Sequence, residues 1–110
     1  MKLRIYISGP YTLGDQAANV RNAVLAGIEV MKLGHFPFIP HLSHFTHYLI
    51  PHAYEVWMEQ DFEWLKQCHA LVRLPGESAG ADREVSFAVN QNIPVFNGME
   101  DLIAWLTTTK

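Results

Sequence analysis

Cysteine is almost missing from this chain: the single thiol, Cys68, excludes an internal disulfide framework. Basic residues are scarce too. Eight Lys and Arg stand against eleven Asp and Glu, and at a net charge of −3 no block or stripe of positive charge is left to follow a nucleic-acid backbone. No apolar run reaches the length needed to cross a bilayer, no tract is biased enough to be a linker, and there is no internal repeat. The loop G-P-Y-T-L-G from Gly9 to Gly14 lacks the glycine spacing of a dinucleotide fingerprint and the Lys-Ser/Thr ending of a Walker loop. Neither NAD nor ATP is indicated, and no cofactor is expected. The start M-K-L-R-I-Y-I-S-G-P enters a strand where a signal peptide would have an apolar h-region, so a cytoplasmic protein is expected, with neither membrane nor nucleic acid as partner.

What is present has the rhythm of an α/β protein. At 110 residues the chain is expected to be one domain over 1–110, large enough for a core and small enough that a second subunit is expected to complete a deep site. Leu3 to Ser8 alternates apolar and β-branched residues and stops at Gly9-Pro10, which marks a strand. Asp15 is a candidate N-cap for a helix to about Leu33, with Val20, Ala23, Val24, Gly27, Ile28 and Met31 as its apolar stripe and Gly34 closing it. Phe36 to Pro40 is a short strand. His41 to Pro51 is too rich in His and aromatics for an ordinary connection and is a candidate lid. A helix from about His52 to Gln67 carries Tyr54, Trp57, Met58, Asp61, Trp64 and Leu65 on one face. A strand from His69 to Leu74, a glycine loop, a helix from near Asp82 to about Asn90, a strand from Ile93 to Phe96 and a helix from Met99 to Thr107 complete the alternation. The pattern predicts a flavodoxin-like (Rossmann-like) three-layer sandwich on a four- to five-stranded parallel sheet. Such sheets bind ligands beyond the carboxyl ends of their strands, where Gly9 to Tyr11, His41 onward and Gly76 to Glu84 all fall.

The loop P-G-E-S-A-G-A-D-R-E, Pro75 to Glu84, is the stretch around which the rest is organised. Free N–H groups and the helix dipole converge there, Gly76 and Gly80 let a ligand approach the backbone, and Glu84 is expected in the first helical turn as a poised carboxylate or as an ordinary first-turn acid. Asp61 is placed by helical spacing among aromatic residues facing the sheet, where an unpaired charge is costly; it is either tuned for proton chemistry or paired with Arg83 or Arg73. Together Asp61 and Glu84 form a carboxylate pair of the kind that serves retaining glycosyl transfer when the two lie about 5 Å apart. Tyr6, near the end of the first strand, is within reach of Glu84 if its hydroxyl points to the crevice. Ser78 is a ligand contact or ordinary turn chemistry. Of the histidines His41, His44, His47 and His52, the first three recur every third residue and invite a metal, but Pro51 and the aromatics favour a base-stacking lid, with Phe45, Tyr48 and His44 as contacts and no metal expected. Cys68 has no motif around it and is a small core residue.

These pieces together resemble the nucleoside 2-deoxyribosyltransferase-like superfamily, which includes deoxyribosyltransferases and deoxynucleoside monophosphate N-glycosidases. I-Y-I-S-G-P at the first strand, E-Q-D-F-E-W-L around Asp61 and S-A-G-A-D-R-E from Ser78 to Glu84 carry the likeness, in order and over most of the chain. The resemblance implies that Glu84 is a nucleophile forming a covalent deoxyribosyl intermediate, that Tyr6 orients it, and that Asp61 binds the sugar or relays a proton to the base. Nucleosides and nucleobases are the implied partners, contacted by Ser78, Gly9, Gly80, Tyr11, Phe45, Tyr48 and His44, in a homodimer or larger homo-oligomer. The chain departs from the family at Asp82, where a glycine is usual, and at Pro10 and Thr12, where the monophosphate enzymes carry an arginine and a serine. A free nucleoside is therefore the expected substrate. A nucleotide-sensing module without catalysis and a metal-dependent hydrolase are the rivals.

Overall fold

The computed structural model describes residues 1–108. Its strands are β1 (Arg4–Ser8), β2 (Phe36–Phe38), β3 (Ala70–Arg73) and β4 (Val95–Asn97), all parallel, in the order β2-β1-β3-β4. The helices are α1 (Gln16–Lys32), α2 (Ser43–Leu49), α3 (Tyr54–Leu65), α4 (Ala79–Asn90) and α5 (Met99–Thr108). Strand order reverses between β1 and β3, and a parallel sheet opens a crevice at the carboxyl ends of the strands flanking such a point.

Period-two alternation sorts the sheet's residues between two cores. Ile5 and Ile7 of β1, with Ala70 and Val72 of β3, pack with Ala23, Ala26 and Val30 of α1 and with Leu102 and Leu106 of α5. Tyr6 and Leu71 face the other way, against Leu65, Cys68 and Ala88. The three expected layers are thus present. Cys68 is a buried core thiol whose pKa burial pushes up to about 11.

Helix ends follow their local chemistry. Asp15 caps α1 by accepting from the Ala18 N–H at 3.1 Å, and Gly34, at φ +86°, closes it. The buried face of α1 is Ala23, Ala26, Gly27 and Val30; Ile28 and Met31 of the expected stripe are exposed. Small residues win that face because α1 lies close to the sheet's second edge: a Cβ on Gly27 would come within 2.5 Å of the Ile39 side chain. The strand expected through Pro40 stops at Phe38, because Pro40 cannot donate to a ladder and instead opens a 3-10 turn, Pro40–Leu42. The expected lid is largely helix, and α3 begins at Tyr54, after Pro51.

Correction of α4 matters most. Ser78 caps it, its hydroxyl accepting from the Ala81 N–H at 3.1 Å, so the helix starts at Ala79 and Glu84 falls in the second turn, beyond the free N–H groups. Gly76 precedes it at φ +117°, with Pro10 so near that a Cβ would lie 2.7 Å from its ring. The first loop and the glycine loop are therefore packed against each other. We expect Gly76→Ala to cost about 1–3 kcal/mol, through backbone strain and overpacking together, as a drop in the urea midpoint at unchanged m-value.

Candidate functional site

Glu84 is a buried carboxylate held from two directions by β1. The Tyr6 hydroxyl donates to Oε2 at 2.6 Å and the Ser8 hydroxyl donates to Oε1 at 2.7 Å. Alternation along β1 makes this possible, since Tyr6 and Ser8 sit two positions apart on one face. Ser8 was not singled out from the sequence, although that same two-residue spacing marks it: whatever Tyr6 faces, Ser8 faces one step nearer the crevice.

Asp61 comes from α3 and hydrogen-bonds Glu84 directly. It is paired with neither Arg83, which forks onto Glu55 at 3.0 and 3.2 Å, nor Arg73, which binds Asp82 at 3.1 Å. The two carboxyl groups are therefore in contact, as the expected carboxylate pair. Two buried carboxyl groups in contact cannot both be charged at little cost. Burial, then the Glu84 charge, pushes Asp61 up to about 8. Burial raises Glu84 as well, while the hydrogen bonds from Tyr6, Ser8 and Asp61 and the charge of Arg73 pull it down. Tyr6 is lifted well above the usual phenol range, chiefly by burial, so it keeps its proton and donates. With two hydroxyls already donating to Glu84, the proton of the pair belongs on Asp61, and Glu84 is the anion.

A cleft of about 630 Å³ opens over Glu84. Gly9, Tyr11, Ser78 and Gly80, four of the residues expected to touch a ligand, line it. The opposite wall is His41, His47, His52, Tyr54, Trp57 and Met58. Asp61 instead lines a second cleft of about 640 Å³ that meets the first at Pro40, His52 and Trp57. Phe45, Tyr48 and His44 do not line the Glu84 cleft. The reason is helical geometry: His47 of α2 turns into the cleft, Phe45 lies about 200° around the helix from it, and Tyr48 about 100°. Phe45 and Tyr48 are exposed, at 61% and 80%, and His44 is held by the Tyr11 hydroxyl at 2.6 Å. The aromatic wall is supplied by α3, with Trp57 fixed by donating to His47 Nδ1 at 2.9 Å. Gly76 faces Pro10 and not the cleft, whereas Gly80 lines the cleft with the Tyr54 hydroxyl 3.1 Å from where its Cβ would be.

The histidines act singly. His41 holds the Pro10 carbonyl, His44 the Tyr11 hydroxyl, and His47 the Trp57 ring and the His52 N–H. Among the described residues no group of three or more His, Cys, Asp or Glu is placed to hold a metal ion. No described helix is long and apolar enough to cross a membrane.

The family described as a domain of unknown function, DUF7768, matches residues 3–98. The chain belongs to the DUF7768 family. No curated protein sequence matches this DUF7768 domain. Among solved structures it is similar to the 2-deoxyribosyltransferase of the psychrotolerant bacterium Bacillus psychrosaccharolyticus, a biocatalyst for the synthesis of nucleosides. The TM-score is 0.60 at 19% identity, over 86% of the DUF7768 domain and 70% of that chain. At that identity the likeness is one of fold: the parallel sheet with helices on both faces is shared.

Proposed function

We propose that the DUF7768 domain cleaves the N-glycosidic bond of 2′-deoxyribonucleosides and passes the sugar to another nucleobase, or to water, through a covalent ester on Glu84. The observation that carries this reading is the Glu84 carboxylate, buried and fixed by Tyr6 and Ser8 at 2.6 and 2.7 Å beneath a cleft walled by Trp57, Tyr54 and Met58. The solved structure of like fold is a nucleoside-processing enzyme, which fits. Among the described residues no Lys or Arg lines the cleft, in keeping with an uncharged nucleoside over a nucleotide.

A Glu84 oxygen attacks the anomeric carbon as the bond to the base nitrogen breaks, and the electron pair leaves with the base. Attack turns the carboxylate into a neutral ester, which removes the charge that helped to raise Asp61. Asp61 thereby becomes more acidic as the departing nitrogen needs a proton. It is the proton store of the pair and gives up its proton to the departing base, leaving a carboxylate beside the Glu84 ester. A second base, or water, then attacks the anomeric carbon from the opposite face, the bond from that carbon to the Glu84 oxygen breaks to restore the carboxylate, and the attacking group gives its proton to Asp61, with retention overall.

Incubation with 2′-deoxynucleosides, with and without a second free base, tests the reading. Expected are release of the first base, a new nucleoside when an acceptor is present, and a mass increment of one deoxyribosyl group on the Glu84 peptide after acid quench. Nucleoside binding without turnover favours a sensor, and activity lost to chelators favours a metal-dependent hydrolase.

Assembly belongs to the same reading. Phe45, Tyr48, Leu49, Ile50 and Val56 are all exposed, forming an apolar surface on the segment that also walls the cleft. We expect a symmetric homo-oligomer through this surface, with activity falling on dilution in step with dissociation seen by sedimentation. A fully active monomer refutes it.

A further inference from the structure

Two clefts of nearly equal volume meet at a ridge made by Pro40, His52 and Trp57, one of about 630 Å³ over Glu84 and one of about 640 Å³ beside it. The carboxyl pair is divided between them. Glu84 lines only the first cleft and Asp61 only the second, although the two side chains are hydrogen-bonded to each other. α3 makes the division, because Tyr54 and Met58, one turn apart, lie on the first cleft while Gln60, Asp61 and Trp64 lie on the second.

The second cleft combines aromatic rings with uncharged polar groups. Phe38, Trp57 and Trp64 supply the rings, and Ser43, Thr46 and Gln60 bring two hydroxyls and an amide to the same space. Trp64 is stacked on Phe38 and Phe38 on Tyr6, with centroids 5.6 and 5.5 Å apart, so the indole is fixed from the buried side while 53% of it stays exposed. Gln60, one turn before it, is exposed as well. Fixed, open aromatic surface beside an amide suits a flat heteroaromatic ring: the ring covers the apolar surface, and the amide, donor and acceptor at once, matches the mixed donors and acceptors of the ring's edge. A sugar gains little there. The Glu84 cleft has instead two hydroxyl-bearing residues, Ser78 and Tyr54, on its walls.

We propose that the second cleft is the nucleobase site: the nucleoside lies across the ridge, its sugar over Glu84 and its base against Trp57 and Trp64, with the Gln60 amide at the ring edge. This rests on the nucleoside reading and puts the base where that chemistry needs it. The departing nitrogen is one bond from the anomeric carbon, and its proton comes from Asp61, which lines the base's own cleft. An acceptor base attacks the face that the first base left, so it takes the same place.

The test follows the indole N–H signals by nuclear magnetic resonance in Glu84→Gln protein, which holds substrate unconverted. Three tryptophans give three signals, assigned with Trp57→Phe and Trp64→Phe. Trp57 lines both clefts and Trp64 only the second, while Trp105 packs on Phe96 against the other core and serves as the reference. 2′-Deoxyadenosine or thymidine is expected to shift Trp64 and leave Trp105 unmoved, and 2-deoxyribose alone is expected to leave Trp64 unmoved. Gln60→Leu, at an exposed helical position, is expected to weaken nucleoside binding about five- to tenfold, and Trp64→Leu about tenfold or more. A nucleoside that binds and shifts Trp57 but not Trp64 puts the base over Glu84 and overturns the proposal, as does unchanged affinity in both variants. A Trp64 signal that moves with protein concentration and not with nucleoside gives the cleft to a second copy of the chain, which also overturns it. A Trp64 shift on binding, in a protein whose native form never turns over, supports the base site and refutes the proposed catalysis; turnover with Trp64 unmoved does the reverse. No binding of either nucleoside, by this variant or by the native protein, refutes both.

Discussion

Glu84→Gln is expected to slow base release from 2′-deoxynucleosides by about four orders of magnitude or more, and to abolish the covalent sugar adduct. The amide keeps an oxygen for one of the two hydroxyls, Tyr6 or Ser8, and takes a buried negative charge out of the site, so stability should change by no more than about 1 kcal/mol. Glu84→Ala is different. It leaves both hydroxyls pointing at empty space, and the loss should be about 2–4 kcal/mol. Glu84 is not the exposed first-turn acid that the sequence suggests, whose removal would be nearly silent. Comparing the two variants by urea denaturation separates the nucleophile from the structural acceptor. Near-normal base release by either variant removes Glu84 from the nucleophile's place.

Asp61→Asn is the second large effect, and its sign depends on pH. The carboxyl titrates near 4 when unfolded and at about 8 in the folded protein, so between those values the native state holds the proton more tightly. Stability from this group is present in full below pH 4, falls as pH rises towards 8, by at most about 1.4 kcal/mol per pH unit, and is flat beyond. The upward shift of Glu84 acts in the same sense. Asparagine does not titrate. The variant should therefore lose much of this slope and gain on the native protein as the medium becomes alkaline, most clearly at pH 8–9. Its base release should fall about 100- to 1,000-fold, because the proton store is gone. Base release by the native protein should show an alkaline decline with a midpoint near pH 8 that the variant lacks. Unchanged pH profiles for both stability and rate would return Asp61 to a purely structural role.

Much of this was legible in the sequence, for identifiable reasons. The alternation in Leu3–Ser8, the Asp15 cap and the closing Gly34 are local signals, and the structure follows them. So does the meeting of Tyr6, Asp61 and Glu84, since strand period, helix period and a loop at a strand's carboxyl end each point to the same rim. What failed depended on distance or on competing local signals. Ser78 caps α4 ahead of the start expected near Asp82, which puts Glu84 one turn further along the helix. Close approach of α1 to Ile39 gave its inner face to glycine and alanine in place of Ile28 and Met31. The lid residues were chosen for their aromatic rings, but only a helix axis decides which ring turns inward, and α2 turned in His47 while α3 supplied Trp57 and Tyr54. The distance between the two carboxyl groups is not legible, because no local pattern encodes a separation between helices.

The wall facing Glu84 has a property that matters for engineering. Its side chains all come from the stretch Pro40 to Met58, whereas Tyr6, Ser8 and Glu84 lie on β1 and α4. On the proposed reading, this wall and the Glu84 cluster belong to separate segments of the chain, and the wall can be exchanged as a single cassette. A chimera that takes this segment from another member of the family should inherit the donor's choice of base while keeping the recipient's chemical step.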